Sequence, residues 1–311
     1  MACSALATPR AFAIRPVTAR RTDSKHKTRC TRRFSVRASA SSDSDDGIVP
    51  KGSTVLVVGA TGGVGQLVVA KLLEQGYSVR AACRNKTRAA ETFGTFASKG
   101  NQDLEIVAAD LRNLEELKAS EICKDVDAVV SCIGTTAFPS ARWKQNNGPE
   151  QTDFVSVKNL VEAVGKQSDK KCKRVVLVSS VGVDRTDRMP FLILNLFGVL
   201  KNKKKGEDEV KTCNTPYTIL RPGRLTDGPY TSYDINTLVK ATSGERRAVV
   251  VEFGDALLPE ETSRIVVADA AVASLQSKAS IGGEYCLSTT EGDGPGNDQS
   301  KWDSIFANAN R

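Results

Sequence analysis

Three glycines at three-residue intervals, Gly59, Gly62 and Gly65, are the residues here best suited to holding a phosphate. They belong to the run Gly59-Ala60-Thr61-Gly62-Gly63-Val64-Gly65, which follows an apolar stretch at 54–58 and opens a segment of helical period. Each glycine has a task at a nucleotide site. The first allows a tight turn off a strand, the middle one lets backbone approach a diphosphate, and the last lets helix and strand pack closely. The unpaired N–H groups and positive dipole end of the helix then face the anion.

A second chemical signal closes the next apolar stretch, Ala81-Ala82-Cys83-Arg84-Asn85. An NAD site carries Asp or Glu at this place, to bind the ribose 2′-hydroxyl. Arg84 stands there instead, with Lys86 and Arg88 close by. A guanidinium pairs with a 2′-phosphate that a carboxylate would repel. Charge-assisted hydrogen bonds worth about 1.5–3 kcal/mol favour NADP(H) over NAD(H) by about ten- to a hundredfold. The expected cofactor is therefore NADP(H).

Other chemistries are scarce. The one histidine is His26, close to the start of the chain. A chain processed beyond it has no imidazole for a general base, a triad or a metal. The eight cysteines (3, 30, 83, 123, 132, 172, 213, 286) contain no CxxC pair, so buried or free thiols are expected and no metal site is signalled.

The elements that must position these residues are legible from apolar periodicity. Strands are expected at 54–58, 77–83, 104–108, 128–133, 174–181 and 218–221. Helices are expected at 65–74, 87–96, 113–122, 153–164 and 192–211, the last weakened by Gly198 and Gly206. A long loop covers 134–150. This alternation predicts an α/β fold, a doubly wound parallel Rossmann sheet. Beyond Pro222 the pattern is less regular, with strands at 247–252 and 284–287 and helices at 268–277 and 302–307. We expect a Rossmann domain over 53–311, with a small C-terminal lobe from about 223 on the substrate side.

The net charge of +8 invites a nucleic-acid reading. Residues 1–38, however, hold eight Arg, two Lys and one acid, leaving a net charge of −1 for the remainder. The basicity belongs to a leader rich in Ala, Ser, Thr and Arg, the composition of a plastid transit peptide. Residues 39–52 read as a solvated linker. No nucleic acid is expected as a partner, no run reaches the roughly 18 apolar residues of a membrane span, and the expected location is the chloroplast stroma, with thylakoid association as a variant.

Several segments together resemble the atypical short-chain dehydrogenase/reductases, in an NmrA-like group of plant plastid proteins. They are Gly59–Gly65, Asp110-Leu111, Ser131-Cys132-Ile133-Gly134, Pro149-Glu150-Gln151 with Asp153, Lys158 and Asn159, Val178-Ser179-Ser180, and Tyr217 through Gly223. The resemblance covers about 53–310. It implies that Asp110 and Leu111 flank the adenine, that Ser131, Ile133 and Gly134 line the nicotinamide ribose, and that Pro222 and Gly223 approach the nicotinamide. It also implies Lys203 as the ribose-holding lysine, with Glu207 one helical turn on.

The same resemblance exposes a gap. Reductases of this kind use a Tyr four residues before the Lys, and that position is Val199. No tyrosine of the chain has a Lys at +4. Ser179, Ser180 and Lys203 are the remaining candidates for catalysis. Three readings stay open: a reductase of an unidentified small organic substrate by a tyrosine-independent route, a non-catalytic NADP(H)-sensing or assembly factor for a plastid or thylakoid complex, and surface attachment through apolar residues 191–200 and Lys201–Lys205. The apolar part of that last segment reads more readily as a core-facing helix.

Overall fold

A strand covered on both faces shows no alternation, and Val55, Leu56, Val57 and Val58 are all fully buried. They belong to β1 (Thr54–Val58), the centre of a computed structural model that describes residues 47–97, 103–167, 172–226 and 247–311. α1 (Gly63–Glu74), β2 (Ser78–Cys83), α2 (Lys86–Ala97), β3 (Leu104–Ala108), α3 (Leu114–Ala119) and β4 (Ala128–Ser131) follow in strict alternation. A π-helical turn, Glu150–Val155, then runs into α4 (Ser156–Gln167) and β5 (Arg174–Val178). After α5 (Phe191–Leu194) and α6 (Val199–Thr212) come β6 (Tyr217–Pro222), β7 (Arg224–Thr226), β8 (Ala248–Phe253), β9 (Glu261–Ser263), α7 (Arg264–Ser274), β10 (Gly283–Thr290) and α8 (Gln299–Ala309).

The main sheet has the order β3-β2-β1-β4-β5-β6-β10-β8, parallel except for β8 against β10. One face is packed by α1, α2, α7 and α8, with Leu67, Phe93, Val267 and Trp302 in its core. The other is packed by α3, α4 and α6 through Leu117, Leu160 and Val210. The sheet is thus wound on both sides, as expected. Strand order reverses between β1 and β4, so the crevice beyond their C-terminal ends is where a nucleotide belongs.

Three differences from the sequence expectation have physical causes. First, 192–211 is not one helix. Gly198 sits at φ +74°, a left-handed conformation that ends α5's turn and starts α6. Gly206 faces the backbone carbonyl of Asp153, where a Cβ would collide, so glycine there permits close packing of α6 on the π-helical turn. Second, most of the described chain after 223 joins the main sheet or its helical layers, and only the β7–β9 pair forms a separate small sheet. Third, residues 47–49 are built into the body rather than solvated. Arg174 donates from Nε and Nη2 to Gly47 O at 2.8 and 2.6 Å, and Val49 N donates to Leu275 O at 2.9 Å. The leader at 1–38, His26, most of the 39–52 segment and the part of the C-terminal lobe at 227–246 lie outside the described residues.

Candidate functional site

The glycine turn is held by its own backbone. Gly59 has φ +74°, and a Cβ on it would lie 2.9 Å from Cys132 C and O, so the turn seats directly against the chain leaving β4. Gly62 N donates to Gly59 O at 2.9 Å. A Cβ on Gly65 would penetrate Gly59 O, which is why helix and strand need glycine there. Gly62 is the N-cap of α1 but provides no side-chain cap, and no acid stands in the first turn. A helix N-terminus of this kind is complementary to a diphosphate. Ala60 and Val64 are buried beneath it, and Thr61 accepts at its carbonyl from Gln66 Nε2 at 2.9 Å.

Sequence reasoning missed Arg264, the first residue of α7. Its Nε lies 3.0 Å from where a Cβ on Gly63 would be, and Nη1 donates to Thr226 O. This sets a guanidinium beside the phosphate turn. No local pattern signals it, because α7 reaches α1 only through the fold.

Beyond the C-terminal ends of β2 and β3, Arg84 follows β2 and donates from Nη1 to Asn147 Oδ1. Asp110 follows β3 and is forked by Arg112, whose Nε donates to Oδ1 at 2.8 Å and whose Nη2 donates to Oδ2. These hydrogen bonds hold the Asp110 carboxyl below its usual range against the opposing effect of burial, and they raise the Arg112 guanidinium in return. Leu111 is buried, with its carbonyl accepting from Asn159 Nδ2 of α4 at 2.9 Å.

Lys203 of α6 pairs with Asp153 Oδ1 at 2.8 Å. Asp153 also accepts from Thr135 N at 3.2 Å and from Thr135 Oγ1. Gly134 leaves room for this group, since a Cβ there would lie 2.9 Å from Lys203 Nζ. Asp153 faces Lys203 because the π-helical turn rotates it inward; Ser156 N donates to Gln151 O, five residues back. Lys203 is therefore a partnered, half-buried lysine, unlike a solvated face residue. Val199, one turn earlier, is buried and apolar.

The remaining candidates gather at the ends of β4, β5 and β6. Ser131 and Ser179 are buried, and neither hydroxyl has a hydrogen-bond partner among the described residues. Ser180 Oγ donates to Val181 O at 3.2 Å. Ile133 packs on the core of one sheet face. Ser179 N and Val181 N donate to Leu220 O and Pro222 O, which draws the serines against the Pro222-Gly223 corner. Gly223 N donates to Thr262 Oγ1 at 2.9 Å and a Cβ there would strike Glu260 O. Backbone N–H groups at the glycine turn, guanidinium groups at one end, and orphaned hydroxyls with a lysine at the other fit a dinucleotide.

The fold and this arrangement define a dinucleotide-binding Rossmann protein, and sequence comparison agrees. A family model described as NAD(P)H-binding matches residues 59–278, and the chain belongs to that family. An uncharacterised chloroplastic protein of Arabidopsis thaliana is 33% identical over 74% of this chain and 74% of its own length. Protein TIC 62, chloroplastic, of Pisum sativum is 31% identical over 68% of this chain, which spans only 41% of that longer protein. Among solved structures, yeast methylglyoxal/isovaleraldehyde reductase complexed with NADPH shares the fold with a TM-score of 0.54 at 16% identity, covering 76% of this chain and 79% of that one. No helix among the described residues is long and apolar enough to cross a membrane.

Proposed function

We propose that this chain is a chloroplast protein that binds NADP(H) in preference to NAD(H), and that it uses the dehydrogenase fold to hold the cofactor and to signal its presence rather than to deliver a proton. The observation that carries the cofactor reading is Arg84, at the end of β2 where an acid would serve NAD. When bound, the cofactor supplies a hydride. The chain's own residues would hold it: the α1 N-terminus and Arg264 would serve the diphosphate, and Lys203, fixed by Asp153, the ribose. Among the described residues, no tyrosine stands in the general-acid position before Lys203. Val199 transfers no proton, Ser180 is spent on Val181 O, and losing such a group costs on the order of 10²–10⁴ in rate.

Titration of the full chain with NADPH and NADH tests the reading. Arg84→Ala is expected to weaken NADPH by about ten- to a hundredfold and NADH by less than about twofold; equal losses would sink it. Turnover of NADPH over a panel of carbonyl compounds would overturn the non-catalytic part. It would instead favour a tyrosine-independent reductase of a small organic substrate, for which the orphaned Ser179 hydroxyl is the observation in support.

The signalling reading rests on a surface the sequence assigned to the core. Leu196 and Met189 are 67% and 64% exposed, and Leu192, Ile193, Phe197 and Phe138 are exposed beside them. Phe138 and Trp143, from the loop after β4, meet the Phe197 ring edge-on at 6.3 and 6.0 Å. Exposed Lys144, Arg188, Lys201 and Lys205 outnumber the exposed Asp184 and Asp187 in the same segments. An apolar cluster among cations suits the anionic surface of a thylakoid membrane. Leu196→Glu with Phe197→Glu is expected to reduce co-sedimentation with thylakoid-lipid vesicles at least about tenfold while leaving NADPH affinity unchanged. Undiminished sedimentation of the double variant would refute this docking face.

A further inference from the structure

The loop between β4 and the π-helical turn makes an unusual contact beyond the C-terminal ends of β2 and β3. Asn147 Oδ1 accepts from two guanidinium groups at once, Arg84 Nη1 and Arg112 Nη1, the latter at 2.9 Å. These side chains come from the ends of two neighbouring strands, β2 and β3, and Asp110 is the carboxylate bound between the strand ends. Two cations against one anion leave the cluster one positive charge in excess. An amide oxygen has two lone pairs and a partial charge, so it satisfies the geometry of two donors without neutralising them. A phosphomonoester dianion satisfies both.

Arg112 also grips the backbone behind Asn147, donating from Nη1 to Gln145 O at 2.7 Å and to Asn146 O at 3.3 Å. Gln145 and Asn146 stand at φ +60° and +61°, consecutive left-handed residues without glycine. Such a conformation is held by its surroundings rather than preferred by the chain. The same contacts that shape the loop thus occupy the two guanidinium groups.

We propose that Arg84 and Arg112 together form the 2′-phosphate pocket, and that Asn147 Oδ1 is a placeholder which the phosphate displaces. Arg112 is then a specificity-determining residue whose work looks purely structural in the unliganded chain. The inference rests on the NADP(H) reading and adds to it a second cation and a competing amide.

Calorimetric titration with adenosine 2′,5′-bisphosphate and adenosine 5′-monophosphate isolates the 2′-phosphate. The wild-type chain is expected to prefer the bisphosphate by at least tenfold, and Arg84→Ala to remove most of that preference; equal binding of the two probes by the wild type would overturn the NADP(H) reading itself. Arg112→Met is expected to weaken the bisphosphate at least fivefold and the monophosphate less than twofold, with Arg112→Lys in between. Asn147→Ala is expected to tighten the bisphosphate two- to fivefold and leave the monophosphate unchanged. If the wild-type preference depends on Arg84 but survives Arg112→Met, or if Asn147→Ala fails to tighten the bisphosphate, the pocket proposed here is wrong while the cofactor reading stands. Retained monophosphate binding shows that each variant is folded. A variant that loses both probes equally also counts against the proposal.

Discussion

Glu207→Ala is expected to lower the free energy of unfolding by about 3–5 kcal/mol, the cost of stripping one partner from a buried ion pair. Glu207 and Arg221 both have side chains with 0% exposure. Arg221 donates from Nε to Glu207 Oε1 at 3.0 Å and from Nη2 to Oε2 at 2.6 Å, a two-pronged contact. Burial works to lower the Arg221 pKa, but the Glu207 hydrogen bonds and charge override it and the group is held firmly ionised. Glu284 at 2.6 Å and Asp184 at 3.2 Å remain, yet both are partly exposed, so they compensate the buried guanidinium only in part. Set against a typical total of about 5–15 kcal/mol, the loss is large. Urea unfolding should show a lower midpoint with an unchanged slope. Replacing Glu207 and Arg221 together with Met should recover most of the loss, since the penalty lies in the under-compensated buried charge more than in the missing contact. A single-variant change below about 1 kcal/mol would contradict this account. Because Lys203 lies one turn before Glu207 on α6, the alanine variant should also bind NADPH more weakly.

The second large effect belongs to Gly65→Ala. The added Cβ would meet Gly59 O inside van der Waals contact and Ala60 Cα at 2.9 Å. Both are backbone, with no flexible end to swing away, so either the turn or the start of α1 must move. Overpacking of this sort costs about 1–3 kcal/mol in stability. The functional loss should be greater, because the N–H groups of the turn lose their alignment. Two misplaced charge-assisted hydrogen bonds amount to about 3 kcal/mol or more, on the order of a hundredfold or more in NADPH affinity. Gly165→Ala in α4 is the control. Nothing lies within 4 Å of its would-be Cβ, and an alanine in a helix is expected to be neutral or to stabilise by up to about 1 kcal/mol. Similar NADPH affinities in the two variants would mean that the turn does not hold the cofactor.

How much of this was legible depended on whether the signal was local. β1, β3 and the glycine turn are contiguous runs whose burial and turn chemistry repeat at short range, and periodicity recovers them. The place of Arg84, directly after β2, is legible for the same reason. The partners were not. Asp153 reaches Lys203 across 50 positions, and Asn147 reaches Arg84 across 63, through a sheet order that period alone does not specify. In the segment 191–200 the core-facing expectation holds for Phe191, Val199 and Leu200 only, because apolar composition says that a residue avoids water, not that the fold has room to cover it. Gly198 breaks the expected helix, and the short piece before it turns Leu192, Ile193, Leu196 and Phe197 outward.

Arg174 bears on how the chain can be trimmed. Its guanidinium is fully buried, and burial lowers its pKa to about 10. Besides Gly47 O, its partners are the neutral groups Thr218 Oγ1, Ser280 Oγ and Ser277 O. Tyr77 Oη likewise donates to Val49 O at 3.1 Å. A protease that removed the leader and stopped before Gly47 would leave this cluster intact. One that cut after Val49 would strand a cation in the interior and open the seam between β5 and the segment after α7. A chain shortened from its N-terminal side therefore keeps this interior closed only while Gly47–Val49 remain.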